Sequence, residues 1–237
     1  MAKKGETIVT KLLGLDAKEI ARQYEDGLRL ALVKMTRGIM ELWDHSMQNG
    51  DSCCVFQHNE RTADYAFMLA QNMGWSKDDC VVVAEEGMIH DMGKLIVPPS
   101  VLNYPERLDN ETWERYIIPH PKLASDVILH TGRAGKRLSV GVAQHHERWR
   151  GGGYTRKLRG KRIHPDGRVL ALADCFDAAT NHRPYEKNGP KKPEDMAEEI
   201  REDPYGQFDP KMRAVAADCF PEVYRMLDRI GLVRRSA

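Results

Sequence analysis

The sequence is poor in cysteine that could pair. Its five cysteines, Cys53, Cys54, Cys80, Cys175 and Cys219, are odd in number, and no two are spaced C-x-x-C. That argues against a disulfide framework and against a zinc ribbon, and a reducing compartment suits such a chain. Long apolar runs are missing too. No segment reaches the ~20 apolar residues that span a bilayer, and nothing after Met1 to Gly5 could serve as a signal peptide. No membrane span is expected, and the chain reads as cytoplasmic. Charge imbalance is also lacking. The formal net charge of +1 leaves no global field to draw the protein to a nucleic acid polymer or a membrane, so anion binding has to come from local clustering. Period-two alternation is almost absent, and there are no internal repeats and no low-complexity tract.

What remains is helical periodicity. With 237 residues, 41% of them apolar, the chain is long enough for one sizeable core. Asp16 with Glu19 reads as a capping box opening a long helix over 16–48, with an apolar stripe of Ile20, Tyr24, Leu28, Ala31, Met35, Ile39 and Leu42. That stripe either pairs with its copy in a homodimer or packs on the rest of the chain. A second helix is expected over 58–73, stopping at Gly74, and a third from Ser76 to Met92, stopping at Gly93. Pro98 and Pro99 force a turn. Asp109 caps a short helix through Trp113, and helices follow at 121–131 and 135–147. A Gly-rich basic loop fills 148–164, a buried helix starts at Pro165, and Asp209-Pro210 opens the last one. The expected architecture is all-α, with residues 1–49 as an N-terminal helical extension of a domain over 50–237.

Chemistry concentrates in histidine. Five of the nine histidines, His58, His90, His120, His145 and His146, lie in or at the ends of predicted helices, with Asp91 beside His90 and Asp174 further on. A single histidine is more often a satisfied core or surface residue than a ligand. Five together with two aspartates form an imidazole–carboxylate set, which suits iron, manganese, zinc or nickel better than calcium or magnesium. Consecutive residues on a helix point about 100° apart, so Asp91 can bridge two ions while His90 binds one. Two-metal sites of that kind activate water and neutralise phosphate charge.

The run His90-Asp91-Met92-Gly93-Lys94 resembles the HD-x-GK motif of HD-domain phosphohydrolases. His145-His146-Glu147-Arg148-Trp149 followed by Gly151-Gly152-Gly153-Tyr154-Thr155 is similar to the HHE-x-x-DG-x-GYP motif of the HD-GYP family. His120-Pro121, the Ala173–Ala178 run and Asn181-His182-Arg183-Pro184-Tyr185 match further elements in the same order. The resemblance implies an HD-domain helical bundle and a phosphodiesterase that opens cyclic di-GMP to pGpG, and in some relatives on to GMP, with water activated at a dinuclear site. It implies that His58, His90, Asp91 and Asp174 hold one divalent ion and that Asp91 bridges to a second, held by His120, His145 and His146. Iron is the first expectation for both ions, with manganese, nickel or zinc as alternatives. Asp91 and Lys94 are the implied catalytic pair. Lys94, Tyr154 and Arg183 are the implied phosphate contacts, and Arg150 is a further candidate in the basic loop.

The chain departs from the family pattern at Arg150, where the motif has Asp, at Thr155, where it has Pro, and at Ala124 and Glu186. None of these is a ligand position. The altered loop keeps two other readings open: a catalytically weak receptor or adaptor that meets a signalling partner through this loop, and an HD phosphohydrolase for another nucleotide such as cyclic GMP-AMP. Relatives with a third metal carry a glutamate four residues before the first ligand histidine. Cys54 stands there, so two ions are expected.

Overall fold

The computed structural model describes the backbone of residues 17–47, 55–181 and 189–233, and among these every regular element is a helix. The long helices are α1 (Ala17–Met47), α2 (Val55–Asn72) and α3 (Lys77–Ile89). After two short turns, α4 (Pro99–Leu102) and α5 (Asn110–Thr112), come α6 (His120–Leu129) and α7 (Arg133–Gln144). The chain closes with α8 (Pro165–Thr180), α9 (Pro193–Glu202) and α10 (Pro210–Arg229). The helix starts follow their caps. The Ser76 hydroxyl accepts from the Asp79 amide at 3.2 Å, and the Asp209 carboxylate accepts from the Lys211 amide at 2.9 Å ahead of Pro210. Of the proposed cap, Asp16 and the side chain of Glu19 lie outside what the structure describes.

Two cores hold the helices together. In the larger, Tyr65 of α2, Phe176 of α8 and Phe220 of α10 meet as an inclined trio with every pair of ring centroids 5.1 Å apart. In the smaller, Val82 and Ile89 of α3 pack with Ala124 and Ile128 of α6, Leu138 and Val142 of α7, and Leu32 and Val33 of α1. Helix α3 belongs to both cores, through Cys80 and Val83 in the larger and Val82 and Ile89 in the smaller.

The first helix packs by a different face from the stripe read in the sequence. Leu32, Val33, Thr36 and Met40 turn inward. Leu28, Met35, Ile39 and Leu42 are 43%, 60%, 48% and 73% exposed. The two faces lie about one residue, or 100°, apart. Both carry apolar side chains, so periodicity alone does not say which one meets the domain. An Arg29–Glu85 ion pair of 2.5 Å fixes the inward choice.

Candidate active site

Five helices bring one set of side chains to a point. His58 lies in the first turn of α2, His90 ends α3, His120 begins α6, His145 ends α7 with His146 after it, and Asp174 projects from α8. The sequence reading carried α3 through Met92. The helix in fact stops at Ile89, and a tight 3-10 turn covers Met92–Ile96. Lys94 therefore sits on that turn and not on a continued helical face, and its Nζ reaches Asp91 Oδ2 at 2.6 Å.

The imidazoles are oriented from behind. The Nδ1 atoms of His90, His120 and His145 lie 2.7, 2.6 and 2.7 Å from the carbonyls of Gly87, Ile117 and Val142. A carbonyl only accepts, so each Nδ1 donates and each Nε2 presents a lone pair to the site. His90 Nε2 is buried without a hydrogen-bond partner, and the Nε2 atoms of His120 and His145 face each other at 3.3 Å. Two converging lone pairs repel unless a cation lies between them, so the donor set fits a divalent metal.

The carboxylates reach across. Asp91 Oδ1 lies 3.1 Å from His120 Nε2, while its Oδ2 lies 3.6 Å from His90 Nε2 and 3.8 Å from His58 Nε2. Asp174 Oδ1 stands 3.0 Å from His58 Nε2, and its Oδ2 is 3.9 Å from His146 Nδ1. Three groups, His58–His90–Asp91, His90–His145–Asp174 and His120–His145–His146, each converge closely enough to share one ion.

Protonation favours a cation as well. Burial lowers the pKa of His90, holds that of His145 well below the usual range and takes that of His146 down to about 3. Neutral rings result. Burial alone would push Asp91 upward, but Lys94, His90 and His120 outweigh it and hold it well below the ordinary carboxylate value. Asp174 is lowered likewise, its burial outweighed by His58, His146 and His90.

In front of the set opens a cleft of about 670 Å³, lined by Lys94, His120, His146, Tyr154 and Asp174 together with residues of 101–117. Tyr154 stacks on His146 with centroids 4.8 Å apart. Its phenol stays protonated, because burial and the nearby Asp174 and Asp91 raise its pKa. The loop that delivers Tyr154 is pinned by Glu147. This buried carboxylate accepts the amides of Arg156 at 2.6 Å and Leu158 at 2.9 Å. Arg150 does not line the cleft, and its stem lies against Gly206 in the turn before α10. Arg183 and Cys54 lie outside the described residues.

The sequence reading passed over a support. His58 Nδ1 is 2.6 Å from Asp177 Oδ2, and Arg61 clamps that carboxylate with Nε at 2.6 Å and Nη2 at 3.0 Å. Asp177 stands three residues after Asp174 on α8, one turn behind the site. That spacing was the available signal. Glu147 and the 101–117 wall were also assigned no role.

With this geometry in place, comparison with known proteins is direct. A family profile described as an HD domain matches residues 51–212. The chain belongs to the HD-domain family. As an HD-domain protein it is 31% identical over 156 residues to the 3'3'-cGAMP-specific phosphodiesterase 2 of Vibrio cholerae, covering 65% of this chain and 29% of that protein. It is 27% identical over 192 residues to the cyclic di-GMP phosphodiesterase response regulator RpfG of Xanthomonas campestris, covering 79% of this chain and 48% of the relative. The chain thus spans less than half the length of these curated relatives. Among solved structures, an HDG"Y"P protein from Bdellovibrio bacteriovorus shares the fold with a TM-score of 0.56 and 19% identity, over 68% of this chain and 50% of that one. Among the described residues no helix is long and apolar enough to cross a membrane.

Proposed function

We propose that this HD-domain protein is a metal-dependent phosphodiesterase that opens a cyclic dinucleotide, cyclic di-GMP first among them, to the linear pGpG, with residues 50–237 as the catalytic domain and 1–49 as an extension. One observation carries the reading: the two oxygens of Asp91 face separate imidazole groups, His120 on one side and His90 with His58 on the other. A carboxylate so placed suits a bridge between two ions. The names of the relatives, which act on cyclic di-GMP and 3'3'-cGAMP, support the substrate class.

On this reading His58, His90, Asp91 and Asp174 would hold one divalent ion, and His120, His145, His146 and Asp91 would hold the other. Iron fits the donor set, with manganese, nickel or zinc as alternatives. When bound, the ions supply Lewis acidity and neutralise phosphate charge. The chain's own groups do the rest. Lys94, anchored on Asp91, presents its ammonium to a phosphate oxygen. Tyr154 donates its phenolic proton to another, and the His146 ring behind it fixes its position. The motif around Arg183 suggests it as a third phosphate contact, and the exposed loop around Arg150 and Thr155 is a docking point for a signalling partner on this reading.

The test is turnover of cyclic di-GMP by the purified, iron- or manganese-loaded chain, with products resolved by chromatography. Asp91→Ala abolishes turnover on this reading. Full activity in that variant defeats it, and tight binding without turnover in the parent chain points instead to a receptor. A further partner is a second copy of the chain, meeting the exposed face of α1 that carries Leu28, Met35, Ile39 and Leu42.

A further inference from the structure

The 101–113 part of the cleft lining carries large and charged side chains that the histidine cluster does not use. Tyr104 and Trp113 line the cleft and remain 46% and 43% exposed, unlike Tyr65, Phe176 and Phe220, which the larger core buries completely. Beside them, Glu106 and Arg107 also line the cleft and are exposed. Neither forms a hydrogen bond or an ion pair among the described residues, although they are neighbours of opposite charge. The segment itself is held firmly. Asp109 accepts from the Thr112 amide at 2.8 Å, and a π turn over Trp113–Ile117 leads straight into His120. A platform joined so directly to the metal-facing helix stands at a fixed offset from the phosphate end of the cleft.

Aromatic faces beside a phosphate site suit nucleobases, because every base offers a π-face to stack on. The charged pair narrows the choice of base. A carboxylate only accepts, and it matches the adjacent N1–H and N2–H donors of guanine. Adenine offers one donor beside a lone pair, which a carboxylate repels. A guanidinium matches the paired O6 and N7 acceptors of guanine, whereas adenine sets a donor at that edge. We infer that the 103–113 segment is a base-recognition subsite, in which Tyr104 and Trp113 stack a purine and Glu106 with Arg107 select guanine over adenine. This rests on the cyclic-dinucleotide reading above and deepens it.

Calorimetry with the full chain tests the subsite through binding, without relying on turnover. Cyclic di-GMP is expected to bind tighter than cyclic di-AMP by about tenfold or more, the worth of one charge-assisted hydrogen-bond pair at a partly open site. Glu106→Gln, which trades an acceptor for a donor, is expected to close most of that gap. Trp113→Ala is expected to weaken both ligands by about tenfold without changing their ratio. Equal affinity for the two ligands in the parent chain, or a ratio unmoved by Glu106→Gln, overturns the proposal. Hydrolysis of bis(p-nitrophenyl) phosphate, a diester without a base, by the metal-loaded parent chain tests the underlying reading separately. Turnover of that diester without base discrimination sinks the subsite alone. Guanine discrimination without turnover sinks the hydrolase reading and leaves the subsite standing.

Discussion

The His58 ring and the Asp177 carboxylate meet at 2.6 Å, and Arg61 closes on the far side of the same carboxylate. The arrangement fixes the His58 tautomer and turns Nε2 toward Asp91 and Asp174. Such partners behind a ligand histidine raise its basicity and hold its angle. Asp177→Asn keeps the shape but removes the charge. Metal affinity is expected to fall by about tenfold to a hundredfold, read by competition with a chelator. Arg61→Met, which leaves Asp177 without its clamp, is expected to lower metal affinity in the same direction. Unchanged affinity in both variants removes the support role.

How much of this was legible in the sequence differs by residue. The histidine–aspartate cluster was readable because HD and HH dipeptides stand in a motif-like order, and the structure brings all seven of those side chains together. Asp177 was not readable as a support. Its only mark is one helical turn of separation from Asp174, a spacing that the buried Leu170 shares. Lys94, expected as a phosphate contact, lines the cleft from a 3-10 turn, and nothing local in the sequence shows α3 ending at Ile89 and tightening afterwards. The first helix misled for the opposite reason. It is apolar on two faces, and only the partners of Arg29 and Leu32 decide between them.

Gly93 marks the closest approach in the site. A Cβ there would stand 2.1 Å from the His120 carbonyl oxygen. Gly93→Ala therefore forces the 92–96 turn away from α6 and separates Asp91 and Lys94 from His120. A stability loss of about 1–3 kcal/mol is expected from the overpacking, together with a larger fall in kcat than in substrate affinity. Urea unfolding and steady-state kinetics check the two effects. Parent-like values in both would show that the turn can shift at no cost.

Acid sensitivity should show at a second cluster, away from the site. Arg137 spans Asp166 and Asp79 at 2.9 Å each. Burial raises the Asp166 pKa, but His164 and Arg137 outweigh it and leave it below the ordinary value. A depressed native pKa means stabilisation that is complete above the unfolded value of about 3.9 and lost as pH falls through the lower native value. Glu86, fully buried alongside with its pKa raised well above the usual range by burial and by Asp166, is protonated throughout that window and does not offset the loss. Asp166→Asn should thus lower Tm at pH 7, with the deficit shrinking below about pH 4. A deficit constant from pH 7 to pH 3 would show that packing, not charge, is what Asp166 contributes.

The exposed face of α1 makes the last prediction. Leu28, Met35 and Leu42 recur every seven residues and stand well out in solvent, with Ile39 beside them. A seven-residue apolar repeat is the seam of paired helices, and a patch of that kind left on one chain favours association. The neighbouring face is already committed to the smaller core through Leu32 and Val33, so the repeat does not stabilise its own chain. Met35→Glu with Leu42→Glu should therefore leave helicity and thermal stability close to those of the parent. It should also halve the mass measured by light scattering at micromolar concentration, because like charges would meet across the seam. Exposed positions tolerate such changes within about 0.5 kcal/mol, so unfolding does not confuse the outcome. A parent chain that is already monomeric, or a variant whose mass stays doubled, rules out this helix as the dimer contact.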